Sequence, residues 1–312
     1  MRIAFFTTLL TICLVFHVRV HAGPIRISLL SDPGALVDTV QVLTNAGCPK
    51  AAVAMFERIV RRYHAEPFDF DFGKFPRPTN GFYSFPSPQG LVMALPHRLP
   101  ETRHTFDVNC VDTLILLSEG GLATRLRPDD IVGPIMVSVP TTNGEAVAFA
   151  ATPRDAFALC AASWYREATD FLFPGPTRDR RICLTASLFR WHLLPMSTSR
   201  EDLGRQVLDV LRAMWQRQAI QSPSDFEVVL LHNVDFDSHT ICTCHGGLLL
   251  HRGSGFTYIE KAGGTGPFVR LDVERTPDLL PWLATAFKDY THPNLRRFAT
   301  FNLNAIEELR PQ

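Results

Sequence analysis

Residues 245–261, HGGLLLHRGSGFTYIEK, have the pattern of a β-hairpin. Three leucines form a short apolar run, Gly253 and Ser254 lie in the turn, and aromatic and β-branched residues follow them. His245 opens the first predicted strand and Glu260 closes the second, so antiparallel pairing is expected to bring an imidazole and a carboxylate to one edge of a sheet. A carboxylate beside a histidine fixes the ring tautomer and stabilises the protonated ring, as a general base requires.

A candidate nucleophile lies far upstream, at Cys110 in the segment FDVNCVDTLILL, residues 106–117. Asn109 is a favourable N-cap residue, Asp112 falls in the first turn, and a Gly-Gly pair follows as a helix stop. Cys110 is therefore predicted at a helix N-terminus, where the dipole and the free N–H groups favour a thiolate and can bind an oxyanion. Two alternatives stay open: a buried structural cysteine, and a strand in place of the helix.

The composition is that of a globular protein with a sizeable core, since 46% of the 312 residues are hydrophobic and 20% are charged. Lys and Arg together number 31, and so do Asp and Glu, which gives no indication of a nucleic acid or an anionic membrane surface as partner. The run Gly263–Gly266 follows a predicted strand but lacks the Lys-Ser/Thr pair and the helix of a phosphate-binding loop. No nucleotide or other cofactor is therefore predicted.

Residues 1–22 are predicted to be a signal peptide. Arg2 gives a short positive start, residues 3–18 are largely apolar, and residues 20–22, VHA, form an acceptable cleavage site. The apolar run is too short for a stable membrane span, and no later segment supplies one. The protein is therefore expected to be exported, to the periplasm or beyond the cell, after cleavage near Ala22.

Seven cysteines include one within the predicted signal peptide, Cys13. Lipid anchoring at Cys13 is disfavoured because Ile12 precedes it where a small residue is needed. Export permits disulfides, but their pairing cannot be read from spacing. The cysteines that would remain after cleavage are Cys48, Cys110, Cys160, Cys183, Cys242 and Cys244.

The mature chain is predicted to be one compact unit with two parts, an N-terminal lobe over residues 23–100 and a catalytic core over residues 101–312. Two amphipathic helices, at about residues 32–45 and 50–64, begin the lobe. A segment rich in Phe, Pro and Gly follows at residues 66–97. It is expected to be irregular and to pack on the core through its aromatic rings.

The core is predicted to consist mainly of strands after the helix of Cys110. Helices are expected at residues 155–167, 200–218 and 277–290, and a polar Pro, Gly and Arg segment at 174–181. Strands are expected at residues 131–139, 145–151, 184–194, 226–232 and 268–271 and in a tail at 298–303. The order is helices, the cysteine helix, and then an antiparallel sheet that carries His245 and Glu260, so an α+β fold is predicted.

This order of elements resembles that of the papain-like cysteine hydrolases, in which a cysteine at the start of a helix faces a histidine on an adjacent sheet. The segment His245-Gly246-Gly247-Leu248 is similar to the His-Gly-Ile-Tyr strand motif of the NlpC-type cell-wall peptidases of that superfamily. A closer similarity is to a family of exported bacterial proteins and lipoproteins known only as a domain of unknown function. Its members have an Asn-Cys pair that opens a helix, a His-Val-Gly type strand and a Glu-Lys pair. The corresponding residues here are Asn109-Cys110, His245-Gly246-Gly247 and Glu260-Lys261.

The resemblance implies a papain-like fold of NlpC type, with an antiparallel sheet packed on the cysteine helix and an N-terminal helical lobe. It implies Cys110 as nucleophile, His245 as general base and Glu260 as the residue that orients His245. Asn109 would cap the helix or help to bind substrate at the oxyanion site, and Lys261 has no assigned chemistry. The implied activity is a cysteine peptidase or amidase. For an exported bacterial protein the expected substrates are the amides of peptidoglycan stem peptides.

Two other functions stay open. His239, Cys242, Cys244, His245 and His251 form a dense group of metal-ligating residues, which raises the alternative of a zinc site. Side chains alternate between the two faces of a strand, so the two cysteines are expected on one face and His245 on the other. No metal site is therefore preferred. The second alternative is a non-catalytic binding module on a papain-like fold.

Overall fold

A nine-stranded antiparallel sheet organises the fold, and helices pack on both of its faces. The computed structural model describes residues 24–65, 74–95, 110–127, 135–140, 146–151, 175–189, 191–195, 201–221, 225–262, 266–285 and 295–309. The α+β class that the sequence predicts is confirmed. The predicted signal peptide and the helix predicted at residues 155–167 lie outside the described residues.

The described strands are β1 (Ile25–Ser28), β2 (Tyr83–Phe85), β3 (Ile135–Pro140), β4 (Ala146–Ala151), β5 (Trp191–Leu193), β6 (Phe226–Asp235), β7 (Thr240–Arg252), β8 (Gly255–Lys261), β9 (Phe268–Val273), β10 (Leu295–Phe301) and β11 (Ala305–Glu308). The large sheet has the order β11-β10-β6-β7-β8-β9-β1-β2, and β5 pairs with β7 beside this path. Strands β3 and β4 form a separate antiparallel pair. The strand with the most neighbours is therefore β7, which pairs with β6, β8 and β5.

The described α-helices are α1 (Pro33–Asn45), α2 (Lys50–Tyr63), α3 (Pro88–Ala94), α4 (Cys110–Ser118), α5 (Gly175–Leu188), α6 (Leu203–Arg217) and α7 (Leu280–Thr285). A 3-10 turn at Thr276–Leu279 precedes α7. Helix α1 begins where the Asp32 carboxylate accepts a hydrogen bond from the Ala35 amide, 2.9 Å away, and Pro33 takes the first helical position. In the described part of the chain, no helix has the length and apolar character needed to span a membrane.

The alternation of side chains along β6 divides the core into two layers. Val228 and Leu230 lie in one cluster with apolar residues of α1, α2, α4, α5 and α6. Val229 and Leu231 lie in a second cluster with residues of α3 and α7. We call these two sides of the sheet the α4 face and the α7 face. Because both faces are covered, β6 has a continuous apolar run instead of an alternating pattern.

The N-terminal part of the chain is more regular than predicted. The segment at residues 66–97 contains β2 and α3 where it is described, and β2 pairs with β1, a strand that the sequence analysis does not include. Strand β1 in turn pairs with β9. Ile25 and Ile27 of β1 are buried on the α7 face. The predicted N-terminal lobe therefore contributes two strands to the same sheet as the core.

The strand predicted at residues 184–194 is wrong in its first part, because α5 covers residues 184–188, and after this helix only β5 is extended among the described residues. Residues 175–181 of the polar segment form the first part of the same helix. Tertiary contacts with the end of α4 hold this helix. Arg181 donates to the Glu119 carboxylate at 2.6 Å, and Arg180 donates to the Glu119 carbonyl oxygen. A buried ion pair between distant segments cannot be recognised from local sequence pattern.

The hairpin at residues 245–261 is present as an antiparallel pair of β7 and β8. Its first strand is longer than predicted, since β7 begins at Thr240. His245 consequently lies in the interior of a strand and not at its start. Gly253 has φ of 57°, the left-handed conformation that glycine adopts readily in a two-residue hairpin turn.

Two glycines of β7 allow close packing on its two faces. A Cβ atom on Gly246 would lie 2.8 Å from Leu114 Cδ2, so this glycine lets α4 approach the sheet. A Cβ atom on Gly247 would overlap the Tyr258 hydroxyl, so this glycine makes room for the tyrosine on the α7 face. The Gly-Gly pair after His245 is therefore required by packing on both sides of one strand.

A β-bulge interrupts the pairing of β6 with β7 next to His245. Thr243 lies opposite His232, and His245 lies opposite Leu231, so Cys244 is left without a partner in the register. A bulge bends its strand and changes the direction of a side chain. This bulge lies immediately before His245, the histidine of the predicted site.

His232 supports this bulge from the α4 face. The ring is fully buried and bonds through Nδ1 to the Thr243 hydroxyl (2.9 Å) and through Nε2 to the Thr300 hydroxyl (2.8 Å). Burial, with a smaller effect from the charge of His192, lowers the pKa of His232 to about 3. The ring is therefore neutral in the folded protein, and it links β6, β7 and β10.

Gly246→Ala is expected to lower the free energy of unfolding by about 1–3 kcal/mol, because the added methyl group overlaps Leu114 Cδ2 and approaches the Val229 carbonyl oxygen. Denaturant unfolding followed by circular dichroism measures the change. Gly90→Ala in α3 is the matched control: its nearest contact would be an ordinary 3.6 Å, so unchanged or slightly raised stability is expected. Equal effects of the two substitutions would contradict the packing role of Gly246.

His232→Gln is expected to reduce the loss of stability on acidification. A histidine whose pKa is lowered by folding binds its proton mainly in the unfolded chain. Its contribution to stability is therefore full above the unfolded pKa of 6.5 and is lost as the pH falls toward 3. Between pH 8 and pH 5 this loss is about 2 kcal/mol. Urea unfolding of both proteins at the two pH values measures the difference, and the same pH dependence in both would show that His232 does not titrate as described.

Candidate functional site

Cys110 is the first residue of α4, and its side chain is buried, with 7% exposed. A helix that begins at this residue leaves its first N–H groups without partners in the helix, and the helix dipole is positive at this end. Residues Leu114–Leu117 anchor the helix in the core of the α4 face. No disulfide joins two of the described cysteines, and Cys160 lies outside the described residues.

The start of α4 meets an interrupted edge of β7. Strand β6 pairs along one edge of β7, and β8 and β5 share the other. On the shared edge β8 covers residues 248–252 and β5 covers residues 240–242, so residues 243–247 lie between the two strands. Helix α4 contacts both β7 and β8. His245 therefore lies where a residue of a helix, and not of a neighbouring strand, can reach it.

His245 and Glu260 are in direct contact, with 2.6 Å between Nε2 and Oε2. Both side chains are buried, with 8% and 3% exposed. Leu249 and Tyr258 belong to the cluster on the α7 face, and strand alternation places His245 and Glu260 on that same face. The hairpin thus brings together the imidazole and the carboxylate that the sequence analysis singles out.

The Glu260 carboxylate accepts hydrogen bonds from three side chains. Besides the bond with His245, the Tyr258 hydroxyl donates to Oε2 at 2.7 Å, and the Trp282 indole N–H donates to Oε1 at 2.7 Å. An ionised carboxylate only accepts, so these donors fix its orientation and compensate for its burial.

The sequence analysis does not identify Tyr258 or Trp282. Tyr258 is two residues from Glu260 on the same face of a strand, and this spacing is a signal that the sequence contains. Trp282 comes from α7, 22 residues further along the chain. Only the packing of α7 on the sheet brings it to the carboxylate.

Opposing effects act on the His245 ring. Burial lowers its pKa, but the charges of Cys110 and Glu260, together with hydrogen bonds to both side chains, raise the pKa well above its usual value. Nε2 faces Glu260, so Nδ1 is the ring nitrogen that remains for Cys110. A raised pKa favours the protonated ring, and an imidazolium beside a thiol favours the thiolate. The arrangement therefore favours a protonated His245 ring beside Glu260.

The predicted motifs contain two further residues, Asn109 and Lys261. Asn109 lies outside the described residues. Lys261 is fully buried and donates to the Gly266 carbonyl oxygen. Its ammonium lies 4.6 Å from the centre of the Tyr63 ring and 5.2 Å from that of Phe268, both of which belong to the core of the α4 face. Lys261 therefore stabilises packing through cation–π contacts on the side of the sheet away from Glu260.

The metal-ligating residues around β7 do not converge. Within the described ranges no group of three or more His, Cys, Asp or Glu side chains is placed to hold a metal ion. The expected alternation of Cys244 and His245 is wrong, because the bulge leaves Cys244 packed against the cluster on the α7 face, the face of His245. His251 lies at the surface, 3.5 Å from Glu227.

Comparison of the chain with protein-family models, curated proteins and solved structures finds no match in any of the three. The function is therefore inferred from the geometry of the site.

Glu260→Gln is expected to slow the alkylation of Cys110 at neutral pH by about tenfold or more. The substitution keeps the shape of the side chain but removes a charge that raises the pKa of His245, and one pKa unit corresponds to a tenfold change in population. Iodoacetamide labelling followed by mass spectrometry measures the rate. Glu227→Gln is the matched control, since Glu227 faces the exposed His251. Equal rates in the two variants would rule out an electrostatic role for Glu260.

Proposed function

We propose that the protein is a secreted cysteine hydrolase of the amidase or peptidase type, with Cys110, His245 and Glu260 as its catalytic residues. One observation carries the proposal: Cys110 opens a helix and acts electrostatically on His245, whose Nε2 bonds the buried Glu260 carboxylate. Nucleophile, base and orienting residue in this relation form the arrangement used for covalent acyl transfer.

The order and placement of the three residues support a papain-like core. The nucleophile lies on a helix packed on an antiparallel sheet, the histidine lies on β7, and the third residue lies on the neighbouring strand β8. These are the relations that the resemblance of the sequence motifs to NlpC-type hydrolases implies.

In the proposed reaction the Cys110 thiolate attacks the carbonyl carbon of an amide or ester. His245 donates its proton to the leaving group, and a thioester with Cys110 remains. Water then attacks the thioester with His245 as general base, which releases the acid and restores the thiol. N–H groups at the start of α4 are suited to stabilise the oxyanion. Glu260 orients the His245 ring and offsets its charge.

The proposed export and the proposed substrate class are based on the sequence. The predicted signal peptide, residues 1–22, supports a site of action outside the cytoplasm. In that location peptidoglycan stem peptides are the abundant amides, and they are the substrate class we propose. The papain-like resemblance points to the same class of bond.

A non-catalytic binding module is the second candidate, and the burial of the site favours it. The side chains of Cys110, His245 and Glu260 are all more than nine-tenths buried. Such enclosure is compatible with a fold that holds a ligand without turnover.

Iodoacetamide labelling across pH, read by peptide mass spectrometry, tests the catalytic pair. As the proposed nucleophile beside His245, Cys110 is expected to label faster than Cys48 at neutral pH, and His245→Ala is expected to slow this labelling by about a hundredfold. Cys48 is the internal control, since burial raises its pKa to about 11 and keeps it a thiol. A Cys110 that stays unreactive at every pH would reject the hydrolase.

A measurement of catalytic turnover distinguishes the hydrolase from the binding module. Wild-type protein is expected to release new amino groups from purified muropeptides, and Cys110→Ala is expected to release none. A reactive Cys110 without hydrolysis of muropeptides, short peptides or esters would favour the binding module.

A further inference from the structure

A second thiol lies at the candidate active site and has no part in the proposed hydrolysis. Cys244 directly precedes His245 and is the unpaired residue of the bulge between β6 and β7. It packs against the cluster on the α7 face, where His245 also lies, and its Sγ is 3.5 Å from the Leu231 carbonyl oxygen. The bulge therefore turns a cysteine toward the face that carries the proposed catalytic histidine.

Cys244 is also close to the proposed nucleophile. Cys110 is the first residue of α4, a helix that contacts β7, and Cys244 lies on β7 directly before His245. Burial, followed by the charges of Cys242 and Cys110, raises the pKa of Cys244 well above its usual value. Cys244 is therefore a thiol at neutral pH. The sulphurs of Cys110 and Cys244 thus lie at one site, and Cys110 is the proposed nucleophile.

We propose that Cys110 and Cys244 are a redox pair: a hydroperoxide oxidises Cys110, and Cys244 converts the product into a reversible disulfide. The disulfide blocks the nucleophile and protects it from irreversible oxidation. This inference rests on the proposed function, since it needs Cys110 to be the reactive thiolate.

The chemistry is a two-electron oxidation by hydrogen peroxide. The Cys110 thiolate attacks one peroxide oxygen, the O–O bond breaks, Cys110 becomes a sulfenic acid, and the departing oxygen leaves as water with a proton that His245 can donate. The Cys244 sulphur then attacks the Cys110 sulphur and loses its proton, the S–O bond breaks, and a second water leaves. Two thiols and one hydrogen peroxide therefore give one disulfide and two waters.

Cys242 is the competing partner. It lies three residues before His245 and opposite Trp191 of β5, and burial raises its pKa to about 12. A bond between Cys242 and Cys244 would join residues two apart in a strand, about 6.7 Å between Cα atoms. That separation is at the upper limit for a disulfide. Cys242 is therefore a poor disulfide partner for Cys244, which leaves Cys244, the residue next to His245, as the proposed resolving thiol.

Peroxide treatment of the reduced protein, followed by digestion without reductant and mass spectrometry, tests the pair. Wild type and Cys242→Ser are expected to give a peptide with a Cys110–Cys244 cross-link. Dithiothreitol should then restore the labelling of Cys110 by iodoacetamide. Cys244→Ser is expected to give no cross-link, and its Cys110 should gain two oxygens as sulfinic acid and lose recoverable labelling at least about tenfold faster.

Two outcomes would overturn the redox pair: a cross-link between Cys242 and Cys244 in its place, or irreversible oxidation of Cys110 at the same rate in wild type and Cys244→Ser. The labelling rate of Cys110 before peroxide treatment distinguishes a failure of the proposed redox pair from a failure of the proposed hydrolase. Fast labelling that depends on His245, without a later cross-link, rejects the redox pair and keeps the hydrolase. Slow labelling that does not depend on His245, again without a cross-link, rejects both.

Discussion

A buried carboxylate with three donors is the constraint on which the site depends. Glu260 is removed from water, and an ionised carboxylate in that position is tolerated only when its oxygens are hydrogen-bonded. His245, Tyr258 and Trp282 supply those bonds, and they come from β7, β8 and α7. The carboxylate thereby ties a hairpin to a helix on one face of the sheet. The orientation of the His245 ring follows from this network, since its Nε2 is committed to the carboxylate.

The irregularities of β7 allow that network and the cysteine helix to coexist. Gly246 lets α4 approach from one face, and Gly247 leaves space for Tyr258 on the other. The gap between β5 and β8 exposes the edge of β7 at His245, and the bulge adds Cys244 beside it. A regular strand with side chains at every position would exclude either the helix or the tyrosine. Both the proposed hydrolysis and the proposed disulfide therefore originate in departures from regular pairing.

The local sequence pattern was sufficient to predict those helices and strands whose residue types and spacing indicate them without their tertiary contacts. The helix predicted from about residue 32, the strand predicted at residues 226–232 and the hairpin at residues 245–261 follow from residue type and spacing, and each is found close to its predicted position. The local sequence pattern did not predict the helix within residues 174–194, where α5 is held against the end of α4 by Arg181 and Glu119. It also missed β1, a four-residue strand that is defined by its neighbours β9 and β2.

The sequence by itself determined the residue types and the local geometry of the site. A cysteine at a helix start and a His–Glu hairpin are local features, because helix capping and strand alternation depend on neighbours within a few positions. Tertiary structure decided what those residues contact. Trp282 reaches Glu260, Cys244 shares the face of His245, and α4 contacts β7 only once distant segments have packed. Such contacts join residues far apart in the chain, and no periodicity within one segment encodes them.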